Sequence, residues 1–260
     1  MPVPGGAMAP PHGDAWLRSP VGLGRAVAVL LGVVVAVGLF AIWAGVKVYD
    51  VTGTIVDGGI GEALQRDAEH ADSVMAAVGV VQLVSLVATV VFYLVWFHRV
   101  RINAEVFDPF GHEMGRAWTG WGWFVPVVNF WFPRRIMLNT WDASRPAGSR
   151  TSHGLVNAWW AMWTITLFVG RTGFVRYRNA ETAAELYVAA GDVLFADVTG
   201  VVAAVLAILV VLRLTRMQNE KALRGPVPPG EPVPAGVRDH RRPSADRKSV
   251  VVGKSVFGGV

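Results

Sequence analysis

The side chains that could do chemistry are few, and each lacks something its reaction needs. Asp197 is the only carboxylate clearly inside an apolar block, Val193 to Leu212. Ionisable groups in such blocks are functional candidates by default. Proton coupling through Asp197 would need a second titratable partner at depth, and no such group occurs in the apolar blocks. Asp197 lies within about a turn of its block's edge, so solvation or pairing with Arg171, Arg176 or Arg178 is expected. Glu105, Asp108, His112 and Glu113 gather in one stretch that could hold a metal. His112-Glu113 is followed by Met114-Gly115-Arg116, so the second histidine of a zinc-protease helix is missing. Gly253-Lys254-Ser255 ends like a phosphate loop, but Lys248 stands where that loop needs its first glycine. Neither a nucleophile elbow nor a dinucleotide fingerprint occurs. The absence of cysteine excludes disulfides, thiolate metal sites and cysteine nucleophiles. The expectation is a non-enzyme with no catalytic, cofactor or metal residues.

The elements that would position these groups are long apolar blocks. Hydrophobic residues make up 53% of the 260, and only 17% are charged, against about 25% in soluble domains. Ala26 to Val46, Val74 to Phe97, Leu155 to Gly170 and Val193 to Leu212 read as four membrane spans. The expected fold is all-α: an integral membrane bundle of four transmembrane helices with a Trp-rich re-entrant or interfacial segment over 117–144. Residues 1–21, rich in Pro and Gly, and 217–260, a basic tail, are expected to be disordered around a membrane domain of 22–216.

Charge orients the spans. From Arg213 onward ten Lys/Arg stand against four Asp/Glu, so the remaining chain sums to −1 within the overall +5. A basic segment beside an apolar block favours cytoplasmic retention and lipid headgroups over nucleic acid. The connection 47–73 has two basic and six acidic residues, and 98–154 has seven basic and four acidic. The protein is therefore expected in the cell membrane with both termini cytoplasmic, and Arg171, Arg176 and Arg178 dissent on the outer side. Gly61 to Ser73 has good helix formers and is expected to extend span two outward.

Eight of the eleven tryptophans lie between Trp118 and Trp163. The run Trp118 to Phe132 is uncharged, but Gly120, Gly122, Pro126 and Asn129 interrupt it. Pro133 suits the start of a new helix, in which Ile136, Met137, Thr140 and Trp141 share one face. Interfacial anchoring is the leading reading; a lipid pocket is second. A fifth crossing is third, and it would put the basic tail on the wrong side. Candidate lipid or headgroup contacts are Arg99, Arg101, Trp121, Trp123, Trp131, Arg134, Arg135 and Trp141.

Tyr93 to Ala104 (YLVWFHRVRINA), Gly115 to Ser144 (GRAWTGWGWFVPVVNFWFPRRIMLNTWDAS) and Trp159-Trp160 carry a resemblance. The pattern W-F-x-R-x-x-x-N-A, then G-W-F-x-P-x-x-N-x-W-x-P, then W-x-A-S resembles the bacterial multi-pass membrane-protein family catalogued as domain of unknown function 4328. The likeness covers roughly residues 70 to 215 and implies a membrane domain but no activity. Trp96, Arg99, Asn103, Trp123, Pro126, Asn129, Trp131, Pro133 and Trp141 match as motif positions only. Asp246 to Val256 resembles translated sequencing-adaptor read-through, so residues 246–260 carry no functional reading.

Polar residues in the spans should turn from lipid toward protein. Gln82, Ser85, Thr89, Tyr93 and Trp96 fall near one face of span two, and Asn157 and Thr164 near one face of span three. With Asp197 these are the candidate bundle interior, and the two stripes are expected to face each other. Ala28, Gly32 and Ala36 in span one, and Ala196, Gly200 and Ala204 in span four, are expected to meet neighbouring helices. The leading function is a membrane component that binds lipids, a membrane-protein partner or a second copy. The alternative is a small-solute transporter or channel through a polar cavity.

Overall fold

The computed structural model describes residues 17–146 and 152–224. It contains α1 (Val21–Val56), α2 (Glu62–Phe107), the single turn α3 (Trp118–Trp121), α4 (Phe132–Ala143), α5 (Gly154–Asn179) and α6 (Ala183–Arg224), and no strand among those residues. Each apolar block lies within one long helix. The polar stretch from Glu62 to Ser73 is the start of α2, which at 46 residues is about 69 Å long. α1 ends where Gly58 adopts φ +87° and the Gly59 amide turns back onto the Thr54 carbonyl.

Three helices, α1, α2 and α6, are long and apolar enough to cross a membrane. The 26 residues of α5 also suffice in length, but Asn157, three tryptophans and three threonines dilute its aliphatic content.

The long helices form an arc in the order α2, α1, α6, α5. α1 packs along both α2 and α6, α5 packs along α6, and α2 makes no extended contact with α5. The α1–α6 register is antiparallel: Gly24 lies against Thr215, Gly38 against Val201, Gly45 against Leu194 and Gly53 against Tyr187. A Cβ on Gly38 would sit 2.8 Å from a Val201 methyl, so glycine sets this separation. The expected face at Ala28, Gly32 and Ala36 is not the close one, and Gly32 has open space around it. The buried positions Gly24, Leu31, Gly38, Gly45 and Thr52 repeat every seven residues instead, the spacing of a coiled-coil seam. On α6, Ala196 and Gly200 lie beside Gly170 and Thr166 of α5.

The main core sits at the end where α2 and α6 finish, hereafter the α4 end. Trp96, Phe97 and Val100 of α2 meet Ile136, Met137 and Trp141 of α4, Trp159 and Trp160 of α5, and Leu214 of α6. The apolar face of α4 is therefore covered by protein rather than lying on a lipid surface. An amphipathic pattern reports that a face is buried but not by what.

The expected disordered termini need correction where they are described. The Arg18 backbone donates to Asn103 Oδ1 at 3.0 Å and accepts from Asn103 Nδ2 at 2.8 Å. Residues 217–224 continue α6: Gln218 is buried and Lys221 Nζ donates to the Ala143 carbonyl at 2.7 Å. Residues 1–16, 147–151 and 225–260 lie outside the described residues, including the adaptor-like stretch.

Candidate functional site

At the α4 end the last turns of α2 carry a buried polar network. Arg101 lies four residues before Glu105, the spacing that places two side chains together on a helix. Arg101 Nη1 donates to Glu105 Oε1 at 2.6 Å and Nη2 to the Met114 carbonyl at 2.8 Å. Arg116 Nε reaches the other Glu105 oxygen at 2.6 Å. Burial raises the Glu105 pKa, but hydrogen bonds and charge from Arg116 and Arg101 outweigh it and hold the carboxyl below its ordinary value. His98 Nδ1 meets Thr119 Oγ1 at 3.0 Å; burial and then Arg116 lower its pKa. Gln218 donates to the Val100 carbonyl and to Ser144 Oγ, and Trp96 Nε1 donates to Thr215 Oγ1. These bonds join α2, α4 and α6.

An aromatic wedge lies beside the network. Trp123 stands with ring centroids 5.5 Å from Tyr93, 5.4 Å from Trp163 and 6.0 Å from Trp160. It bridges α2 and α5 at this one end. The segment carrying it does not cross the bundle. Thr119 near its start bonds His98, while Arg134 just after it bonds Asn157 at 2.7 Å, both at the α4 end. Its backbone turns sharply at Val127, where φ 68° and ψ −50° with a 2.8 Å bond from the Val128 amide to the Pro126 carbonyl make a γ-turn. A β-branched residue is strained there, by about 1–3 kcal/mol. Val127 is 80% exposed, so little packing offsets this. Val127→Gly is expected to raise stability by about 1 kcal/mol, after discounting glycine's greater freedom in the unfolded chain. A thermal midpoint in detergent that falls would contradict this.

Between α2 and α5, bounded at one end by Trp159 and Trp163, which also touch the wedge, lies a cleft of about 500 Å³. Leu83 and Leu86 of α2 and Leu167 of α5 line it and are themselves exposed, so they form its lips. α1 and α6 provide the floor through Leu31, Gly38, Gly200 and Ala204. Its polar members are Gln82, Thr89, Thr166 and Asp197, and Gln82 Nε2 donates to Asp197 Oδ1 at 3.0 Å.

Of the expected interior residues, Gln82, Thr89 and Asp197 thus line one cleft. Ser85, Asn157 and Thr164 do not. Ser85 and Thr164 bond carbonyls of their own helices, and Asn157 takes Arg134. The polar stripes of α2 and α5 do not bond each other; the cleft separates them. Asp197 pairs with Gln82 and not with an arginine, since Arg176 turns to Asp192. Among the expected headgroup contacts, Arg101 and Trp141 are buried and Trp123 is enclosed by aromatic rings. Trp121 and Trp131 are exposed, Arg99 reaches the Ser19 carbonyl, and Arg135 pairs with Glu113. Gly79, Thr166 and Gly170 of the cleft were not anticipated. Gly79 was findable, because it falls one turn before Gln82 and Leu83 on the same face. Among the described residues no group of three or more His, Asp and Glu could hold a metal.

The fold defines an all-helical protein with three helices of membrane-crossing length and apolarity. The family model described as Domain of unknown function (DUF4328) matches residues 62–216, more than half of the chain, and the protein belongs to that family. The match begins at the first residue of α2 and leaves out α1. No curated protein and no solved structure matches the chain. The motif positions Trp96, Asn103, Trp123 and Trp141 build the α4-end core and network.

Proposed function

We propose that the protein is a four-span, non-enzymatic component of the cell membrane that holds a lipid hydrocarbon chain in the cleft between α2 and α5. The cleft carries the reading: it opens sideways between leucine lips, its volume suits a small-molecule ligand, and most of its lining is apolar. A fourth crossing by α5 is supported by register. Gly170 lies beside Ala196, and Gly173 beside Asp192, so α5 runs antiparallel along the apolar length of α6. The two would share one depth. The Lys/Arg asymmetry supports an arrangement with both termini on the cytoplasmic side. The aromatic segment then enters the membrane shallowly from the inner face, with Trp121 and Trp131 at the headgroup boundary. Solute transport fits less well, because Trp123 and the Arg101–Glu105–Arg116 network close the inner end.

Gly79→Phe tests the reading. A Cβ on Gly79 meets nothing within 4 Å, so the ring can fill the cleft without displacing a neighbouring helix. Native mass spectrometry from lipid-containing detergent is expected to show one bound lipid fewer than wild type, with an unchanged thermal midpoint. Equal lipid occupancy in the two proteins would refute the cleft as a lipid site.

A further inference from the structure

We infer that a second lipid site, selective for an anionic phospholipid, lies on the opposite face of α2. Its placement rests on α2 being a membrane span but not on the cleft being occupied. Val95 follows Leu86, a lip of the cleft, by nine residues, about two and a half helical turns. It therefore points away from the cleft. Val84, Val91 and Val95 form an exposed ridge along that outward face. Such a ridge suits a hydrocarbon chain lying along the helix.

The ridge ends in cations. Two adjoining hollows, of about 310 and 290 Å³, share His98 and Arg116. The first has an apolar wall that includes Phe124; the second contains Val95, Arg18 and Arg99. Among the described residues no carboxylate lines either hollow. Arg116 shares Glu105 with Arg101, so Arg18 and Arg99 are the cations that carry the site. Arg18 and Arg99 form no ion pair with a carboxylate among the described residues. Arg99 has only a 3.4 Å bond to the Ser19 carbonyl, and Arg18 engages Asn103 through its backbone. Both guanidinium groups thus retain donors for a phosphate, the ligand their fork geometry suits.

The arrangement is ordered as a phospholipid is. An apolar ridge precedes an aromatic wall, which precedes Arg18 and Arg99, neither paired with a carboxylate among the described residues. A zwitterionic headgroup would bring its own cation against these arginines, whereas a phosphatidylglycerol headgroup brings none. The site therefore selects by net charge and by the attached chain together.

The test uses the full chain in nanodiscs of phosphatidylcholine with a minor fraction of phosphatidylglycerol, followed by native mass spectrometry of the retained lipid. Wild type is expected to retain phosphatidylglycerol preferentially. Arg18→Gln/Arg99→Gln is expected to lose about thirtyfold of that preference, roughly fivefold for each arginine. Arg18→Gln alone leaves the backbone bonds to Asn103 in place, so its fivefold loss reads the charge without disturbing the fold. Gly79→Phe is expected to keep the full preference, which separates this site from the cleft. A double variant with wild-type preference would overturn the assignment. Displacement of the lipid by inorganic phosphate at equal concentration would also overturn it, because the site would then read a free anion and not a lipid. Failure of the protein to enter nanodiscs would overturn it through the span reading, and the cleft reading with it.

Discussion

Glu105→Gln is expected to destabilise the protein severely, beginning at the α4 end. Glu105 is 5% exposed and Arg101 is 1% exposed. One carboxylate serves two arginines. Neutralising it leaves the Arg101 guanidinium buried without a counter-charge, facing only neutral acceptors, the new amide oxygen and the Met114 carbonyl. Breaking a buried ion pair from one side costs about 3–5 kcal/mol. Whole domains are stable by only about 5–15 kcal/mol, so a large share of the fold's margin is lost. The expected result is a much lower unfolding midpoint in detergent. Arg101→Met/Glu105→Leu removes both charges and should recover most of the loss, since Arg116 is partly solvated. A single variant no less stable than the double would contradict the account.

The same group predicts acid sensitivity. The folded-state pKa of Glu105 lies below its ordinary value of 4.5. Its contribution is therefore present above that ordinary value and is lost as pH falls through the depressed one. Wild type should lose stability on acidification below about pH 4.5, and Glu105→Gln should lose less over the same range.

Trp123→Ala is expected to have the second largest effect. The indole packs between α2 and α5, touching Tyr93 and Phe97 on one side and Trp159, Trp160 and Trp163 on the other, beside a direct Tyr93–Trp159 contact with centroids 6.3 Å apart. Truncating a packed tryptophan costs about 3–5 kcal/mol, and partial exposure puts this one toward the lower figure. The geometric consequence is more specific than the energetic one. α2 and α5 make no extended contact beyond this aromatic cluster, so removing its central ring should let the arc open. The chain contains no cysteine, so Leu86→Cys and Leu167→Cys give one defined pair for spin labels across the cleft lips. The distance distribution should broaden and lengthen in Trp123→Ala and stay near wild type in Trp123→Phe. An unaltered distribution in Trp123→Ala would show that something other than this segment holds the two helices.

Much of the architecture is written in composition and spacing. The apolar blocks fall inside helices because a long run without proline and with at most one charge has no cheaper backbone than a helix. The inability of Trp118 to Phe132 to form one long helix follows from its glycines and proline. Other features depend on neighbours that spacing cannot reveal. Asp197 has arginines nearby in sequence, yet its partner is Gln82, 115 residues away. Ser85 and Thr164 look like interhelical bonding groups, but a hydroxyl on a helix can satisfy itself on a carbonyl three or four residues back, and both do. Arg101 resembles Arg99 as a boundary cation. The i,i+4 Glu105 was the available sign that it turns inward. Trp141 lies on an amphipathic face whose cover is protein. The α1 seam was readable as Gly24, Gly38 and Gly45, whose spacing in multiples of seven is less conspicuous than the four-residue repeat at Ala28, Gly32 and Ala36.

The central claim is that a lipid chain enters between α2 and α5 and reaches the floor of the cleft. A phospholipid with a photoactivatable diazirine in its acyl chain tests it most directly, with crosslinked residues located by peptide mass spectrometry. Bulk lipid reaches the outward faces of α2 and α5 in any helical membrane protein. Gly200 and Ala204 of α6 line the floor, and Ala204 is buried, so only a chain inside the cleft meets them. The account predicts crosslinks at Gly200 and Ala204 in wild type and their loss in Gly79→Phe. Crosslinks confined to the outward faces, such as Val84 and Val91, would contradict it.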